Sequence, residues 1–584
     1  MNKNKRSLNF SEREQIGVVS AVDTAKVLIT VENKALMPSI SVGHLIAIQG
    51  RIITEFLIGI VDKVTRTLDE RLLSDDISDD GSLPVQETQK DLIRVILIGT
   101  YRSVEGSESN TFKRGADTFP QVERACYLFE SNNLQLFMNL LSSKVPVNER
   151  LILGKFIADE EAIAIANGDK FFQRHAAILG STGSGKSWTA ALILEKAARL
   201  TYSNLIVFDM HGEYKPLCEG DSAFAKRFRI AGTADLDSPR DDCIFLPYWL
   251  LNRDEMLAMI LDRSDDNAPN QTTRFTEHVK KLKKDTLQRL SKQDELNTFT
   301  VDSPIYYDIN ELMNLLISDD EGKIPGAKMN TEKKGPWNGK LTRFVARLLA
   351  KREDRRLGFM FSPPEKTSNF DWLVDFAKSL FETGQDKKGI KIIDFSEVPS
   401  DVLPIVTGVL ARLIYSIQFW MDNNYRHPLT LVCDEAHLYL PVRDAAEAAE
   451  KRALESFERI AKEGRKYGVS LLVISQRPSD VSRTILSQCN NFIILRLTND
   501  QDQSVVKRLI PESMGGVADI LSLLDTGEAL LLGDSILLPT RIKLDKPSIE
   551  PASATKQFWT EWANNENNLD SISDAVSALR KQSR

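Results

Sequence analysis

At 584 residues the chain is long enough for several domains, and 42% hydrophobic with 27% charged residues is the balance of a globular protein, which excludes a disordered, collagenous or disulfide-stapled class. No run of 18 consecutive apolar residues appears, and the start Met1-Asn2-Lys3-Asn4-Lys5-Arg6 is polar, so neither a bilayer span nor a signal peptide is expected and the chain is assigned to the cytoplasm, away from the membrane. A net charge of −7 excludes a surface that coats DNA indiscriminately but not a basic channel inside an acidic assembly, and five scattered cysteines with six unpatterned histidines predict neither disulfides nor structural zinc.

In chain order, Gln15 to about Tyr101 carries short β-branched runs at 16–22, 27–31, 45–48, 56–61 and 92–98, the pattern of a small antiparallel barrel. The stretch Asp69 to Asp91 is acidic and turn-rich, with Asp75-Asp76 and Asp79-Asp80-Gly81, and is expected to be a long exposed loop. From about Leu151, strands are predicted at Ala176 to Leu179, Leu205 to Phe208, Leu429 to Cys433, Val469 to Ile474 and Phe492 to Leu497. Separated by helical stretches, they predict a doubly wound α/β sheet with ligands at the strand carboxyl ends. Between the second and third, about Asn252 to Lys388 places apolar residues at helical spacing (Met256, Met259, Ile260; Leu282, Leu287, Leu290; Phe344, Leu348, Leu349) and reads as a helical insertion, with a loop over Gly322 to Gly339. Strand signals return at Ile390 to Phe395, Glu528 to Leu532 and Ile536 to Leu538, and short helices are expected at Gln557 to Asn564 and Ile572 to Leu579. The organisation is a barrel domain over 1–150, a nucleotide-binding core split into 151–251 and 389–550 by an insertion over 252–388, and a tail over 551–584.

The chemistry concentrates at Gly180-Ser181-Thr182-Gly183-Ser184-Gly185-Lys186-Ser187, behind the apolar run Ala176 to Leu179 and ahead of a helix-like run from Trp188 to Leu200. The spacing G-x-x-x-x-G-K-[ST] binds a nucleoside triphosphate: glycines let backbone N–H groups converge on the phosphates, Lys186 neutralises β/γ charge, and the Ser187 hydroxyl can ligate Mg²⁺. Leu429 to His437 reads as a buried strand ending in Asp434 and Glu435. Delivered at the end of a parallel strand, the first carboxylate suits the Mg²⁺ shell and the second polarises the attacking water; an ordinary strand followed by an acidic turn is the bland alternative. Asp209 and Glu213 close the strand Leu205 to Phe208, where they either position water or only form the turn around Gly212. Basic clusters at Lys226 to Arg229, Lys280 to Lys284 and Lys351 to Arg356 are either DNA contacts or solvated faces.

The segments Arg174 to Gly180, Phe208-Asp209-Met210-His211-Gly212-Glu213-Tyr214, Pro247-Tyr248-Trp249-Leu250, and Glu463 to Gly468 running into Val469 to Ile474 and Ser475-Gln476-Arg477-Pro478 resemble HerA, a branch of the FtsK-HerA ATPases. The resemblance covers about residues 10 to 550, with the motifs in the family's order. It implies a RecA-like P-loop ATPase core with an N-terminal barrel, and a homo-hexameric ring that threads double-stranded DNA and moves along it using ATP and Mg²⁺. It also implies a separately encoded nuclease or sirtuin-like effector docked on the barrel, in DNA end processing or antiphage defence. Residue by residue, it makes Lys186 and Ser187 the phosphate and Mg²⁺ ligands, Asp434 the second Mg²⁺ partner, Glu435 the catalytic base and Gln476 the γ-phosphate sensor. Arg465, with Arg459 second, becomes the arginine finger offered to a neighbouring subunit, and Arg174, Trp188, Leu538 and Pro539 become further nucleotide contacts. A strand-end amide suits a sensor because it both donates and accepts, with capping of the turn before Pro478 as the lesser alternative for Gln476; a guanidinium suits a finger because it binds phosphate oxygens bidentately. The competing readings are a conjugation or secretion ATPase at a membrane and a ring scaffold whose nucleotide is structural.

Overall fold

The computed structural model describes residues 8–581 apart from 25, 73–84, 104–109, 116–117, 130, 158, 326–331, 445, 447, 511–518, 537, 554–555 and 565–568. The N-terminal strands are β1 (Gln15–Asp23), β2 (Lys26–Val31), β3 (Leu45–Gln49), β4 (Glu55–Leu72), β5 (Val85–Arg102), β6 (Thr111–Arg114) and β7 (Ala125–Leu128). They pair antiparallel in the order β2-β1-β7-β3-β4-β5, and β5 returns to β2, which closes a six-stranded barrel with β6 on the outer side of β5. Closure follows from the period-2 apolar pattern: Ile16, Val19, Val27, Ile29, Ile46, Ile48, Leu57, Val61, Ile93, Val95 and Cys126 all turn into one core. Each such side chain, fully buried, is worth roughly 2 kcal/mol. One expectation is corrected here. β4 and β5 stay paired from Glu55 opposite Arg102 to Leu72 opposite Val85, so the flanks of the expected loop Asp69 to Asp91 are hairpin arms. Asp75, Asp76, Asp79, Asp80 and Gly81 lie outside the described residues.

The remaining strands are β8 (Arg150–Phe156), β9 (Asp159–Asn167), β10 (Ala176–Leu179), β11 (Leu205–Asp209), β12 (Ala225–Ile230), β13 (Cys243–Ile244), β14 (Lys323–Pro325), β15 (Glu332–Lys334), β16 (Ile390–Asp394), β17 (Leu429–Cys433), β18 (Val469–Ser475), β19 (Asn491–Ile494), β20 (Glu528–Gly533) and β21 (Thr540–Leu544). The chain forms two compact units, one made of 1–196, 474–479 and 486–548, the other of 197–473, 480–485 and 549–584. In the first, β10 lies parallel to β19, and β20, β21, β8 and β9 continue antiparallel from it. In the second, β13, β12, β16, β11, β17 and β18 run parallel, and β16, β11 and β17 are buried along their whole length. Parallel strands buried on both faces read as nearly continuous apolar runs, which is why these were legible. The predicted strand at Ile536 to Leu538 is displaced: the strand is β21, beyond Pro539, and Leu537 lies outside the described residues. The strand expected at Phe492 to Leu497 stops at Ile494.

The stretch 252–388 is helical, through Arg253–Ile260, Ala268–Arg289, Ile309–Glu321, Thr342–Glu353 and Trp372–Phe381. Within the loop expected at Gly322 to Gly339, β14 and β15 form a small antiparallel hairpin. Helix Leu403–Trp420, 72% buried, is long and apolar enough to cross a membrane by length and composition, and here it is a core helix. It packs on helix Ala448–Glu463 so closely that a methyl on Gly408 would lie 2.6 Å from the Cα of Ala453. Helices Phe558–Asn564 and Asp570–Lys581 stand where the tail helices were expected.

Candidate nucleotide site

The phosphate loop follows from the end of β10, whose four residues are all buried. Gly183 and Gly185 turn at φ 73° and 105°, backbone that side chains rarely adopt, and a Cβ on Gly180 would sit 2.6 Å from the Ser184 hydroxyl and 2.7 Å from Leu495 Cβ. The loop thus needs glycine at each of these places. It feeds helix Lys186–Ala198, whose N-terminal first turn and positive dipole end lie next to the loop. Lys186 is buried and its Nζ donates to the Ser181 carbonyl at 3.2 Å, folding the ammonium over the loop. Ser187 and Trp188 are half-buried, and Lys546 Nζ stands 5.6 Å from the centre of the Trp188 ring. The Gly180 N–H donates to the Ser475 carbonyl at 3.3 Å, and the next residue, Gln476, accepts a hydrogen bond from Thr182 Oγ1 through its Oε1. Gln476 therefore touches the phosphate loop directly. Thr498 anchors the other side, its N–H donating to Ser181 Oγ at 3.1 Å.

The carboxylates collect in the other unit. Adjacent parallel strands β16, β11 and β17 bring Asp394, Asp209 and Asp434 to their carboxyl ends as one row, with Asp209 opposite Asp394 in register and Phe208 opposite Cys433. Asp434 is buried, accepts the Glu435 N–H on Oδ1 at 3.0 Å, and has its carboxyl pushed well above the usual range by burial first, then by the Glu435, Asp209 and Glu213 carboxylates. Glu435 has φ 44° and ψ 45°, a left-handed conformation in a residue other than glycine. Its Oε2 lies 3.3 Å from His437 Nδ1. Asp209 is fully buried and accepts the N–H groups of His211, Glu213 and Tyr214 at 3.3, 3.1 and 3.0 Å. Burial, reinforced by Asp394, pushes its carboxyl up to about 6 in spite of those hydrogen bonds. Asp394 is held by Arg227 at 2.5 Å. Ser187 offers a hydroxyl at the start of the helix after the phosphate loop, and Asp434 a buried carboxylate after β17; each by itself is a hard oxygen of the kind Mg²⁺ takes.

Other predicted residues fall elsewhere. Arg174 pairs with Asp534. Leu538 is buried in an apolar cavity with Met138, Leu141, Phe156 and Ile163, while Pro539 lines another with His44, Phe129 and Arg541; neither cavity includes a phosphate-loop residue. Arg465 is exposed on the short turn Gly464–Tyr467, whereas Arg459 lies 4.8 Å from the Tyr415 ring and 3.8 Å from Glu463, so it is held within its own chain. The basic cluster Lys226 to Arg229 lies on β12, with Arg227 on Asp394 and Arg229 on Asp242 at 2.9 Å, and so serves the sheet. Lys283 of the second cluster is buried, donating to the Val301 and Ser303 carbonyls at 2.6 Å each. Sequence reasoning missed Asp394, although an apolar run ending in aspartate is the same signal that marked Asp434. It also missed Thr498, for which no local signal exists.

Residues 151–414 match the family model described as Helicase HerA, central domain; the match takes in the phosphate loop and the Asp209–Tyr214 turn. A probable helicase of Methanocaldococcus jannaschii is 27% identical over 411 residues, spanning 70% of this chain and 69% of that one. The DNA double-strand break repair helicase HerA of Sulfolobus acidocaldarius is 28% identical over 424 residues, spanning 70% of this chain and 72% of that one. Among solved structures, VirB4 of Thermoanaerobacter pseudethanolicus is similar at a TM-score of 0.45 and 16% identity, covering 69% of this chain and 97% of that one.

Proposed function

We propose that the chain is a member of the HerA family of P-loop ATPases and, from that premise, an ATP-driven translocase or helicase for double-stranded DNA. It works in the cytoplasm as a homo-hexameric ring with a nuclease or sirtuin-like effector docked on its barrel. The observation that carries this reading is the phosphate loop itself, with Gly183 and Gly185 at positive φ and Lys186 folded over Ser181. That loop is an anion cradle with a fixed cation, which is what a polyphosphate requires.

In the proposed reaction the loop N–H groups and Lys186 hold the β- and γ-phosphates, and Glu435 accepts the proton of the attacking water. Ser187 and Asp434 would hold Mg²⁺, which neutralises charge developing on the phosphates when bound. The His437 imidazole beside Glu435 steadies that carboxylate. Gln476 registers the γ-phosphate: its side chain already bonds Thr182 on the loop, so a change in the loop's occupancy reaches the end of β18 directly. Arg465, exposed on its turn, is the finger for a neighbouring subunit's nucleotide.

The test is steady-state ATP turnover by the purified chain with and without linear double-stranded DNA, repeated with an effector. DNA stimulation of turnover is the expected result. Turnover indifferent to DNA in both settings would move the reading to protein transport or to an effector-organising scaffold.

A further inference from the structure

Helix Asp570–Lys581 is amphipathic yet buries none of its residues. Together with the residue before it, the helix sets Leu569, Ile572, Val576 and Leu579 on one stripe, three and four positions apart, with Asp570, Asp574, Ser577 and Lys581 on the opposite face. All four apolar side chains are exposed. The Thr233 hydroxyl donates to the Lys581 carbonyl at 3.2 Å, which holds one end of the helix on its own chain and leaves the stripe facing solvent. An isolated helix of about this length is marginal in water, so its apolar face needs cover. The counterpart lies in the same compact unit. Phe299, Phe370, Leu373, Val374, Phe381 and Met421 line a groove of about 560 Å³, to which no residue of the tail contributes. Helix Trp372–Phe381 forms one wall. Its Trp372 ring packs on Trp249 and Phe376 while Leu373, Val374 and Phe381 turn to the groove, so the helix is apolar on most sides, yet only Leu380 in it is buried. The charges at the groove are Glu295 and Lys378, neither ion-paired with a described residue. Arg580, on the flank of the stripe, complements Glu295, and Asp570, which opens the helix, complements Lys378.

We propose that the groove receives the tail of a second copy of this chain: the stripe Leu569, Ile572, Val576 and Leu579 of one subunit docks in the groove of the next. Apolar anchors at three- and four-residue spacing are how an amphipathic helix fills such a groove. Stripe and groove are different surfaces of one chain, so the contact runs head to tail, and a head-to-tail contact closes into a ring when the rotation between copies permits. The proposal rests on the reading of the chain as a ring of identical subunits and names one joint of that ring. The rival occupants are the chain's own tail and a different protein.

The experiment is sedimentation velocity of the full chain across a range of concentrations, for wild type, Val374→Asp, Val576→Asp, Arg580→Glu, and Arg580→Glu combined with Glu295→Lys. None of these side chains is buried, so circular dichroism of every variant should match wild type. Each single variant is expected to need at least about tenfold more protein to assemble, and Glu295→Lys should restore assembly to Arg580→Glu. Cross-linking separates the occupants. Val374→Cys and Val576→Cys, carried on separate chains of different size, should form a disulfide-linked dimer of mixed size when combined, with wild type as the control for the native cysteines. Variants that assemble like wild type leave the groove to a different protein, and a cross-link formed only when both new cysteines share one chain gives it to that chain's own tail; either result overturns the proposal. A wild type that stays monomeric at every concentration would instead overturn the ring reading beneath it.

Discussion

Glu435 is the residue where local backbone preference yields to its surroundings. Its left-handed backbone costs on the order of 1–2 kcal/mol for a side chain with a Cβ, a cost sustained by the fully buried strand before it. The same geometry puts its carboxylate beside His437. Glu435→Gln keeps the shape and removes the proposed base, so ATP turnover should fall at least about 100-fold while nucleotide still binds, read by a hydrolysis assay against equilibrium binding. Asp209 makes a different prediction. Its folded value of about 6 lies above the ordinary value of about 3.9, so the folded state holds the proton more tightly than the unfolded chain does. The stability this contributes is complete below about pH 4 and is lost as pH rises through about 6. Melting temperature measured from pH 4.5 to 7 should therefore decline in wild type relative to Asp209→Asn, which cannot titrate; parallel curves would remove Asp209 as the cause.

At the scale of the element, β12 shows why a charge cluster is a poor guide to a binding surface. Lys226-Arg227-Phe228-Arg229 looks basic and exposed, but on a parallel strand next to β16 the arginines turn to Asp394 and Asp242. Asp394 is 3% exposed at its side chain and Arg227 23%, so Arg227→Ala strands a buried carboxylate and should destabilise the protein by about 3 kcal/mol, seen in denaturant unfolding, with DNA affinity unchanged. β12 was illegible because alternating charge hides a half-buried strand until its partners are known. The neighbouring β11, β16 and β17 were legible because burial on both faces leaves mostly apolar residues, interrupted only by such buried polar groups as Lys391 and Thr430, and the phosphate loop because its glycines answer a backbone need that few other residues meet. The arms of β4 and β5 read as a loop since their polar residues break the apolar pattern, although the ladder between the two strands is continuous in register there. Residues contributed from afar, such as Thr498 on Ser181, carry no mark in their own neighbourhood.

For the whole molecule, the proposed ring makes each active site a shared property of two chains. Arg465→Ala and Lys186→Ala should each abolish turnover alone, but mixing them lets an intact loop meet an intact finger at about a quarter of the interfaces in a randomly assembled ring. Partial recovery on mixing, followed by hydrolysis assay, is the expected outcome; no recovery would remove Arg465 from that role. The tight seat of Gly408 against Ala453 then takes on a meaning beyond packing. Helix Ala448–Glu463 leads straight into the Gly464–Tyr467 turn that carries the exposed Arg465, so in the proposed ring the thickness of one missing methyl would act as a shim on how far this arginine reaches toward a neighbour. A subunit shimmed differently would still load nucleotide normally and would fail only as its neighbour's catalyst.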